Sequence, residues 1–251
     1  MSAIIFTYRK ALIFSGYFYT LIISLLSVTS APFNIFSHNK VSNFWIHHWA
    51  SVLRFITGMR ISIEGAEHLK TEKPCVLIAN HQSLMDIIVL FTITSMNLRM
   101  VLKKELLCIP IFGWCLWWNR FISIDRSSRR KALRSIDRGA RKIQKGTSVL
   151  LFPEGTRSND GKLRPFQAGS FIMAIKSQVP IIPITISGTI NVVHKTSPLK
   201  FNFNKEVRVI VSPPVDTSRY KIDQRDELKD EVETVIRENY KKIRHLSEIS
   251  Q

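Results

Sequence analysis

A histidine and an aspartate stand five positions apart, directly after a short apolar run. His81 and Asp86 follow Cys75–Ala79, which has the length and composition of a buried strand, and Leu84–Thr94 has the spacing of a helix. A carboxylate in the first helical turn can fold back onto one imidazole nitrogen and leave the other basic and open to a cleft. Such a pair removes a proton from a hydroxyl group. The same spacing also fits a helix-capping aspartate beside a structural histidine, so other residues must decide between a catalytic and a structural role.

A second polar turn, with the sequence FPEGTRS, follows another predicted strand at Phe152–Ser158. Pro153 and Gly155 favour a tight turn whose backbone N–H groups can face an anion. Arg157 adds a planar fork of donors that matches a phosphate group. Glu154 is unusual for a site that binds only phosphate, and it indicates contact with a hydroxyl or an arginine. The alternative is a solvated turn with an incidental ion pair.

Two further cations stand next to predicted strands. Lys103 follows one strand and Arg126 follows another, so both can reach the same edge of the sheet. Between them lies an aromatic stretch, Ile109–Trp118, which is compatible with an acyl-binding wall, a membrane contact or ordinary core packing.

No sequence motif of a covalent nucleophile or of a metal centre is present. The chain has no GxSxG, no GxxxxGK[ST] and no HExxH. Its three cysteines, Cys75, Cys108 and Cys115, contain no CxxC pair, so they indicate neither a disulfide framework nor a zinc site but a reducing compartment. These absences favour direct transfer between two bound substrates.

The elements that must position these residues read as an α/β domain with buried strands, because short apolar runs alternate with longer stretches of helical spacing. The predicted strands are Arg60–Ile63, Cys75–Ala79, Arg99–Leu102, Phe121–Ile124, Ser148–Phe152, Ile181–Ile186 and Val207–Val211. The predicted helices are Leu84–Thr94, Glu105–Trp117, Ser127–Lys145, Gln167–Lys176 and Asp226–Arg244. The two prolines of Val179–Ile184 predict an edge or bulged strand rather than a central one.

The N-terminal part has a different character. Ala11–Val28 is an uncharged stretch of 18 residues, just long enough to cross a bilayer as a helix. Pro32 makes a poor site for signal cleavage, which favours a retained membrane segment over a signal peptide. Val41–Thr57 then predicts an amphipathic helix, with Trp45 and Trp49 on its apolar face, that lies either at a membrane interface or on a protein core. We therefore divide the chain into a membrane-associated helical segment, 1–58, and a catalytic domain, 59–251, and leave open a hairpin in one leaflet or a full span.

The charge of the chain points to anionic partners. With 36 Lys and Arg against 19 Asp and Glu, the net charge is +17. The hydrophobic fraction of 45% excludes a disordered chain, and a mean hydropathy of +0.04 excludes a polytopic membrane protein. More cations follow the apolar segment than precede it, so the positive-inside rule predicts a cytoplasmic domain on an inner or plasma membrane. This charge is concentrated in one helical region, which contains Arg126, Arg129, Arg130, Lys131, Arg134, Arg138, Arg141, Lys142 and Lys145. We interpret it as a face that docks on a membrane surface or on the acyl donor; the alternatives are a solvated face and, in a rival interpretation, contact with nucleic acid.

Four blocks of this sequence, taken in order, resemble those of the 1-acyl-glycerol-3-phosphate acyltransferase family of glycerolipid synthesis. The HxxxxD block is Asn80–Asp86, the second combines Lys103–Leu106 with Phe121–Arg126, the third is Phe152–Ser158 and the fourth is Val179–Gly188. Each block is modest alone, but four in order are specific. The resemblance covers roughly residues 60–215, and its fold implies an α/β domain with a mixed, largely parallel sheet flanked by helices.

The resemblance also implies a reaction. His81, oriented by Asp86, would deprotonate the free sn-2 hydroxyl of lysophosphatidate, which attacks the thioester of acyl-CoA or acyl carrier protein to give phosphatidate. The glycerol phosphate would be held by Arg157 together with Lys103, Arg126, Glu154, Gly155 and Thr156. No metal or bound cofactor is implied, and the expected partners are both substrates and membrane lipid, without nucleic acid. Nearer alternatives are an acyltransferase that remodels another lysophospholipid or acylates glycerol-3-phosphate.

The chain departs from the family pattern at one position. Where the family usually has glycine before the second half of its second block, this sequence has Arg120. The departure puts the local turn geometry in question rather than the reaction.

Overall fold

Seven apolar runs form the strands of one sheet in the computed structural model, which describes the backbone of residues 2–35 and 39–249 and the side chains of residues 10–33 and 39–245. The strands are β1 (Arg60–Glu64), β2 (Val76–Ala79), β3 (Leu98–Lys103), β4 (Ile122–Ile124), β5 (Ser148–Leu151), β6 (Ile181–Ser187) and β7 (Glu206–Val211). Their spatial order is β1-β7-β6-β2-β5-β3-β4. Neighbouring strands are parallel except β6 and β7, which are antiparallel.

Helices cover both faces of the sheet. They are α1 (Ser2–Thr29), α2 (Lys40–Thr57), α3 (Met85–Ile93), α4 (Phe112–Trp118), α5 (Arg129–Gln144), α6 (Gly169–Ser177), α7 (Thr189–Val192) and α8 (Arg225–Ile249). Leu77 and Ala79 of β2 pack in the core with α2 and α3, whereas Val76 and Ile78 pack with α5, α6 and α8. Because β2 is buried on both faces, its sequence is continuously apolar. The predicted α/β class, with a mixed, largely parallel sheet flanked by helices, is confirmed.

The strands fall close to the predicted runs, but one predicted helix is divided. In place of a single helix over Glu105–Trp117, a 3-10 helix at Lys104–Cys108 is followed by α4. Pro110 has no N–H to donate within a helix, and the next residue, Ile111, adopts a positive φ of 62°. The backbone therefore changes direction between the two helical pieces.

Val179–Ile184 was expected to form an edge or bulged strand rather than a central one, and the edge position is wrong. β6 lies inside the sheet, between β7 and β2. On the side of β7 its pairing is irregular, because Ile181 pairs with Val215 and Ile184 with Val211. The segment that pairs with 181–184 therefore contains one extra residue. Pro183 lies within this bulge, where a missing N–H interrupts no regular ladder, and its carbonyl still accepts a hydrogen bond from Ser212.

The two N-terminal helices form an antiparallel hairpin. The indole N–H of Trp45 donates to Ser30 Oγ at 2.8 Å, and that of Trp49 donates to Thr20 Oγ1 at 3.1 Å. The two tryptophans, expected at a membrane interface or on a core, thus bond to a hydroxyl of α1 and to one directly after it, inside the hairpin. A second face of α2, built on small residues, packs against α3, so α2 lies between α1 and the domain.

The outward face of α1 is apolar and exposed. Lys10–Thr29 is the one helical segment of the described chain that is long and apolar enough to cross a membrane, with a mean hydropathy of 1.9. Its exposed apolar side chains include Phe14, Phe18, Leu21 and Leu25. The division of the chain at residue 58 stays a prediction.

Arg120 adopts the backbone conformation that glycine favours, with a φ of 60°. This left-handed conformation costs a non-glycine residue roughly 1 kcal/mol. We therefore expect Arg120→Gly to be more stable to unfolding than Arg120→Ala by about 1 kcal/mol, because both lose the charge and only glycine relieves the strain. Thermal unfolding of both variants in detergent measures the difference, and equal melting temperatures would contradict it.

Candidate active site

The predicted histidine and aspartate form a hydrogen-bonded pair. Nδ1 of His81 lies 2.8 Å from Oδ2 of Asp86. Asp86 is fully buried, whereas 14% of the His81 side chain is exposed. Among the described residues, no group is hydrogen-bonded to the second ring nitrogen, Nε2. The pair thus has the arrangement of a base and the carboxylate that orients it.

Asp86 is held by more than the histidine. Its Oδ2 also accepts the backbone N–H groups of Gln82 at 2.7 Å and Ser83 at 2.8 Å. Its Oδ1 accepts the hydroxyl of Thr189, the first residue of α7, at 2.5 Å. A buried carboxylate is tolerated only when its oxygens are hydrogen-bonded in this way. Asp86 therefore caps the loop and orients His81 at the same time.

Sequence reasoning did not identify Thr189. It is 103 positions away from Asp86 in the chain, and nothing in its local sequence marks it as a partner of a carboxylate. Only the crossover from β6 into α7 brings its hydroxyl to the loop.

The second polar turn fixes His81 from the other side. The Phe152 ring stacks on the imidazole, with ring centroids 3.9 Å apart and an interplanar angle of 14°. The N–H of His81 donates to Glu154 Oε1 at 2.7 Å, and the carbonyl of His81 accepts the N–H of Ser158 at 2.8 Å. Because β2 and β5 are parallel neighbours, their carboxyl ends bring these two turns together.

Both carboxylate oxygens of Glu154 accept hydrogen bonds from backbone N–H groups. While Oε1 accepts from His81, Oε2 accepts the N–H of Arg164 at 2.9 Å, and the residue is only 6% exposed. Burial raises the pKa of its carboxyl to about 7. The sequence indicated a hydroxyl or an arginine as its partner, and the structure gives it two backbone amides. Its contact with a substrate stays a prediction.

Arg126 contacts the FPEGTRS turn. Nη1 of Arg126 donates to the carbonyl of Gly155 at 3.2 Å. Gly155 has a positive φ of 72°, and a Cβ there would lie 3.3 Å from Nη1 of Arg126, so glycine suits this turn. Lys103 ends β3 and is exposed, with no hydrogen bond to the turn among the described residues.

Arg157 has a donor available for an anion. Its Nη1 is buried without a hydrogen-bond partner, and burial lowers the pKa of the guanidinium while the charge of Asp86 opposes that shift. Lys195, which sequence reasoning did not identify, donates through Nζ to the carbonyl of Arg157 at 2.8 Å and to Thr156 Oγ1 at 3.3 Å. Lys195 lies outside the four sequence blocks and is brought to the turn by the chain that follows α7. Cations on both sides of the turn make it suitable for a phosphate group.

Long-range hydrogen bonds hold the HxxxxD loop in place. The side-chain amide of Asn80 bonds to both backbone groups of Ile186 in β6, at 2.9 and 2.7 Å. Nε2 of Gln82 bonds to the hydroxyl of Tyr240 in α8 and, at 3.2 Å, to the carbonyl of Gly161. The loop is therefore fixed to the sheet and to the C-terminal helix.

An apolar cavity of about 290 Å³ lies between the hairpin and the domain. Its walls include Leu84 and Met85, which belong to the HxxxxD loop and the start of α3, so the cavity reaches this loop, although neither His81 nor Asp86 lines it. Gly16 of α1 and Leu53 of α2 line its other side. A cavity of this composition suits an alkyl chain.

The aromatic stretch between Lys103 and Arg126 has two different environments. Phe112 and Leu116 line the cavity. Trp114, Trp117 and Trp118 are exposed on the surface of α4. The stretch thus supplies both a cavity wall and an outward aromatic face.

The described residues contain no group of three or more His, Cys, Asp or Glu side chains placed to hold a metal ion.

The raised pKa of Glu154 makes stability depend on pH. The ordinary value of 4.5 rises to about 7 in the folded protein, so protonation favours the fold, and this contribution is lost as the pH rises through 7. Between pH 5 and pH 8 we expect the free energy of unfolding of wild type to fall by up to ~3 kcal/mol relative to that of Glu154→Gln, whose side chain does not titrate. Thermal unfolding of both proteins across this range measures the difference; a gap that does not vary with pH would refute the expectation.

The comparisons with known proteins agree with this geometry. The family model described as Acyltransferase matches residues 60–187, about half of the chain. A chloroplastic 1-acyl-sn-glycerol-3-phosphate acyltransferase of Brassica napus is 32% identical over 79% of this chain and 58% of its own length. The corresponding alpha enzyme of Ovis aries is 31% identical over 88% of this chain and 78% of its own length. The chain spans 58% and 50% of the lengths of two chloroplastic relatives.

A solved structure shares the whole fold. The crystal structure of the 1-acyl-sn-glycerophosphate acyltransferase of Thermotoga maritima has a TM-score of 0.79 and 26% identity to this chain. The alignment covers 93% of this chain and 95% of that one, so it includes the N-terminal helices as well as the sheet. By its sequence match and its fold, this chain belongs to the acyltransferase family.

Proposed function

We propose that the protein transfers a fatty acyl group from an acyl thioester, acyl-CoA or acyl carrier protein, to the sn-2 hydroxyl of 1-acyl-glycerol-3-phosphate and forms phosphatidate. The observation that carries the proposal is the His81–Asp86 pair, with Nε2 unbonded among described residues, beside the cationic turn that contains Arg157. The names of the relatives in Brassica napus and Ovis aries support lysophosphatidate as the acceptor.

His81 acts as the general base. Its Nε2 takes the proton from the acceptor hydroxyl as the oxygen attacks the thioester carbonyl, and Asp86 stabilises the imidazolium through Nδ1–H. The tetrahedral intermediate collapses with cleavage of the C–S bond. The sulfur leaves as a thiol after receiving the proton from Nε2, so one ester forms and one thioester breaks. The step requires neither a metal nor a bound cofactor.

The charges around the FPEGTRS turn bind the acceptor phosphate. Arg157 offers its unpaired Nη1, and Arg126 and Lys195 contribute positive charge from either side. Thr156 contributes a hydroxyl, and Lys103 attracts the headgroup from the end of β3. Holding the glycerol phosphate here leaves its hydroxyl near His81, and such positioning accounts for much of the rate in a transfer between two bound substrates.

The hairpin supports a location of the site at a membrane. α1 packs along α2, and α2 packs on the domain, while the outward face of α1 stays apolar. A helix bound along the domain in this way enters one leaflet more readily than it spans both. The catalytic domain then lies on the cytoplasmic side of an inner or plasma membrane, where acyl thioesters are available, and no nucleic-acid partner is needed.

The acyl-transfer proposal is tested with labelled oleoyl-CoA and oleoyl-acyl carrier protein in detergent. We expect wild type to form phosphatidate from lysophosphatidate, and His81→Ala to lose roughly 10²–10⁴-fold in kcat/KM because the base is absent. His68→Ala, which removes a partly exposed histidine of the same domain, is the matched control and keeps full activity.

Lysophosphatidylcholine and glycerol-3-phosphate serve as rival acceptors. Transfer to one of these alone would replace the proposed acceptor. Absence of transfer from folded wild type to every acceptor would overturn the enzyme assignment itself.

The cavity is proposed to hold an acyl chain. A Cβ at Gly16 would meet only Leu53 Cδ2, at 3.6 Å, so Gly16→Ala fits, whereas Gly16→Leu would occupy part of the cavity. We expect Gly16→Leu to shift the kcat/KM ratio of octanoyl to oleoyl donors about tenfold toward octanoyl, and Gly16→Ala to leave it near the wild-type value. The ratio comes from competition between the two labelled donors. An unchanged ratio in a folded Gly16→Leu protein would place the donor chain elsewhere.

A further inference from the structure

Three cations meet at the β4 edge of the sheet, away from the active site. Arg120 precedes β4, and Lys142 of α5 donates through Nζ to the carbonyls of Arg120 and Phe121 at 3.0 and 3.4 Å. Burial lowers the pKa of Lys142, and the charges of Arg120, Arg99 and Arg138 lower it further. The three arginines are therefore close enough to Lys142 to repel it, and because Arg99 is buried, the cluster accessible from outside consists of Arg120, Arg138 and Lys142.

No carboxylate neutralises this cluster within the described part of the chain. Arg138 bonds to the hydroxyl of Ser135 at 2.9 Å. Asp137, its neighbour on α5, instead pairs with Lys176 at 2.5 Å. Mutual repulsion without a counter-charge disfavours such an arrangement in the absence of an anion, so the cluster points to an anionic ligand.

The backbone at Arg120 gives independent support. Its left-handed conformation, with φ of 60°, is strained for any residue with a side chain. A charged side chain at a position that suits glycine is explained if its charge takes part in binding, because the binding then offsets the strain.

An exposed aromatic face adjoins the cluster. The N–H of Arg120 donates to the carbonyl of Trp117 at 2.9 Å, and Trp117 and Trp118 are 62% and 41% exposed. Their helix, α4, packs against α1, whose outward face is apolar. Tryptophan beside basic side chains at the border of an apolar surface is the arrangement found at membrane–water interfaces.

The position of the cluster favours lipid over a soluble donor. Arg120 stands before β4, whereas His81 follows β2, and the two strands run in the same direction. The cluster therefore lies at the opposite end of the sheet from the catalytic histidine. A carrier protein bound there would hold its thioester away from His81.

We propose that Arg120, Arg138 and Lys142, with the exposed rings of Trp117 and Trp118, form a docking site for the headgroups of anionic membrane lipids. The site holds the β4 edge of the domain against the bilayer, in addition to the contact made by α1. The inference concerns binding to a lipid surface and does not rest on acyl transfer.

Vesicle binding of the full chain tests the site. Partition coefficients are measured by titrating phosphatidylcholine vesicles, with and without phosphatidylglycerol, at low and high salt. Each cation near an anionic surface contributes about fivefold, so we expect Arg120→Ala/Arg138→Ala to weaken binding to phosphatidylglycerol vesicles by roughly 30-fold at low salt. Binding to pure phosphatidylcholine should be unchanged, and salt should have less effect than on wild type. Lys142 is left intact because its Nζ supports two carbonyls.

Two control variants show whether a loss of binding arises at this site, from a general loss of positive charge, or from misfolding. Arg120→Lys/Arg138→Lys keeps the charges and should bind like wild type. Lys73→Ala/Lys205→Ala removes two exposed cations, one before β2 and one directly before β7, and should lose less than twofold. Acyl transfer in detergent should be the same for Arg120→Ala/Arg138→Ala and wild type, which distinguishes failure of lipid docking from failure of the enzyme.

Three outcomes would overturn the proposal. The first is equal binding of wild type to both kinds of vesicle. The second is an equal loss in Arg120→Ala/Arg138→Ala and in Lys73→Ala/Lys205→Ala. The third is unchanged phosphatidylglycerol binding in Arg120→Ala/Arg138→Ala.

Discussion

The buried carboxylate of Asp86 is the constraint on which the site depends. Removing a charge from water is costly, and here four donors compensate it: the His81 ring, the N–H groups of Gln82 and Ser83, and the Thr189 hydroxyl. These donors come from the loop after β2 and from the start of α7. The carboxylate therefore closes the loop after β2 and attaches it to the start of α7, which follows β6. One ring nitrogen of the histidine, Nε2, stays available to accept a proton.

Packing around the loop then determines where that nitrogen points. Phe152 stacks on the imidazole, and Glu154 accepts the N–H of His81, so His81 and the FPEGTRS turn are fixed to each other. This coupling needs β2 and β5 to be parallel neighbours with their carboxyl ends together. The hairpin completes the arrangement by forming the outer wall of the cavity beside the loop. His81, the FPEGTRS turn and the loop residues that line the cavity are thus held together at the carboxyl end of the sheet.

The local sequence was sufficient to predict those features that depend on residues close together in the chain. Strands such as β2 are buried on both faces, so their apolar runs identify them, and the short spacing of His81 and Asp86 reveals their pairing. Thr189 and Lys195 could not be found in this way, because only the tertiary fold brings them to the loops. The position of β6 inside the sheet was missed, because Pro183 indicated an edge or a bulge and only the pairing of β6 with β2 and β7 shows that the bulge lies within the sheet. In each of these cases a long-range contact overrides the local pattern.

The most direct test of this account is a double-mutant cycle on kcat/KM with His81→Ala, Asp86→Asn and the double variant, each shown to be folded by its melting transition. If Asp86 acts on catalysis through His81, each single substitution lowers transfer strongly and the double variant is no slower than His81→Ala. Multiplicative losses in the double variant would show that Asp86 contributes separately from His81, and would contradict the account.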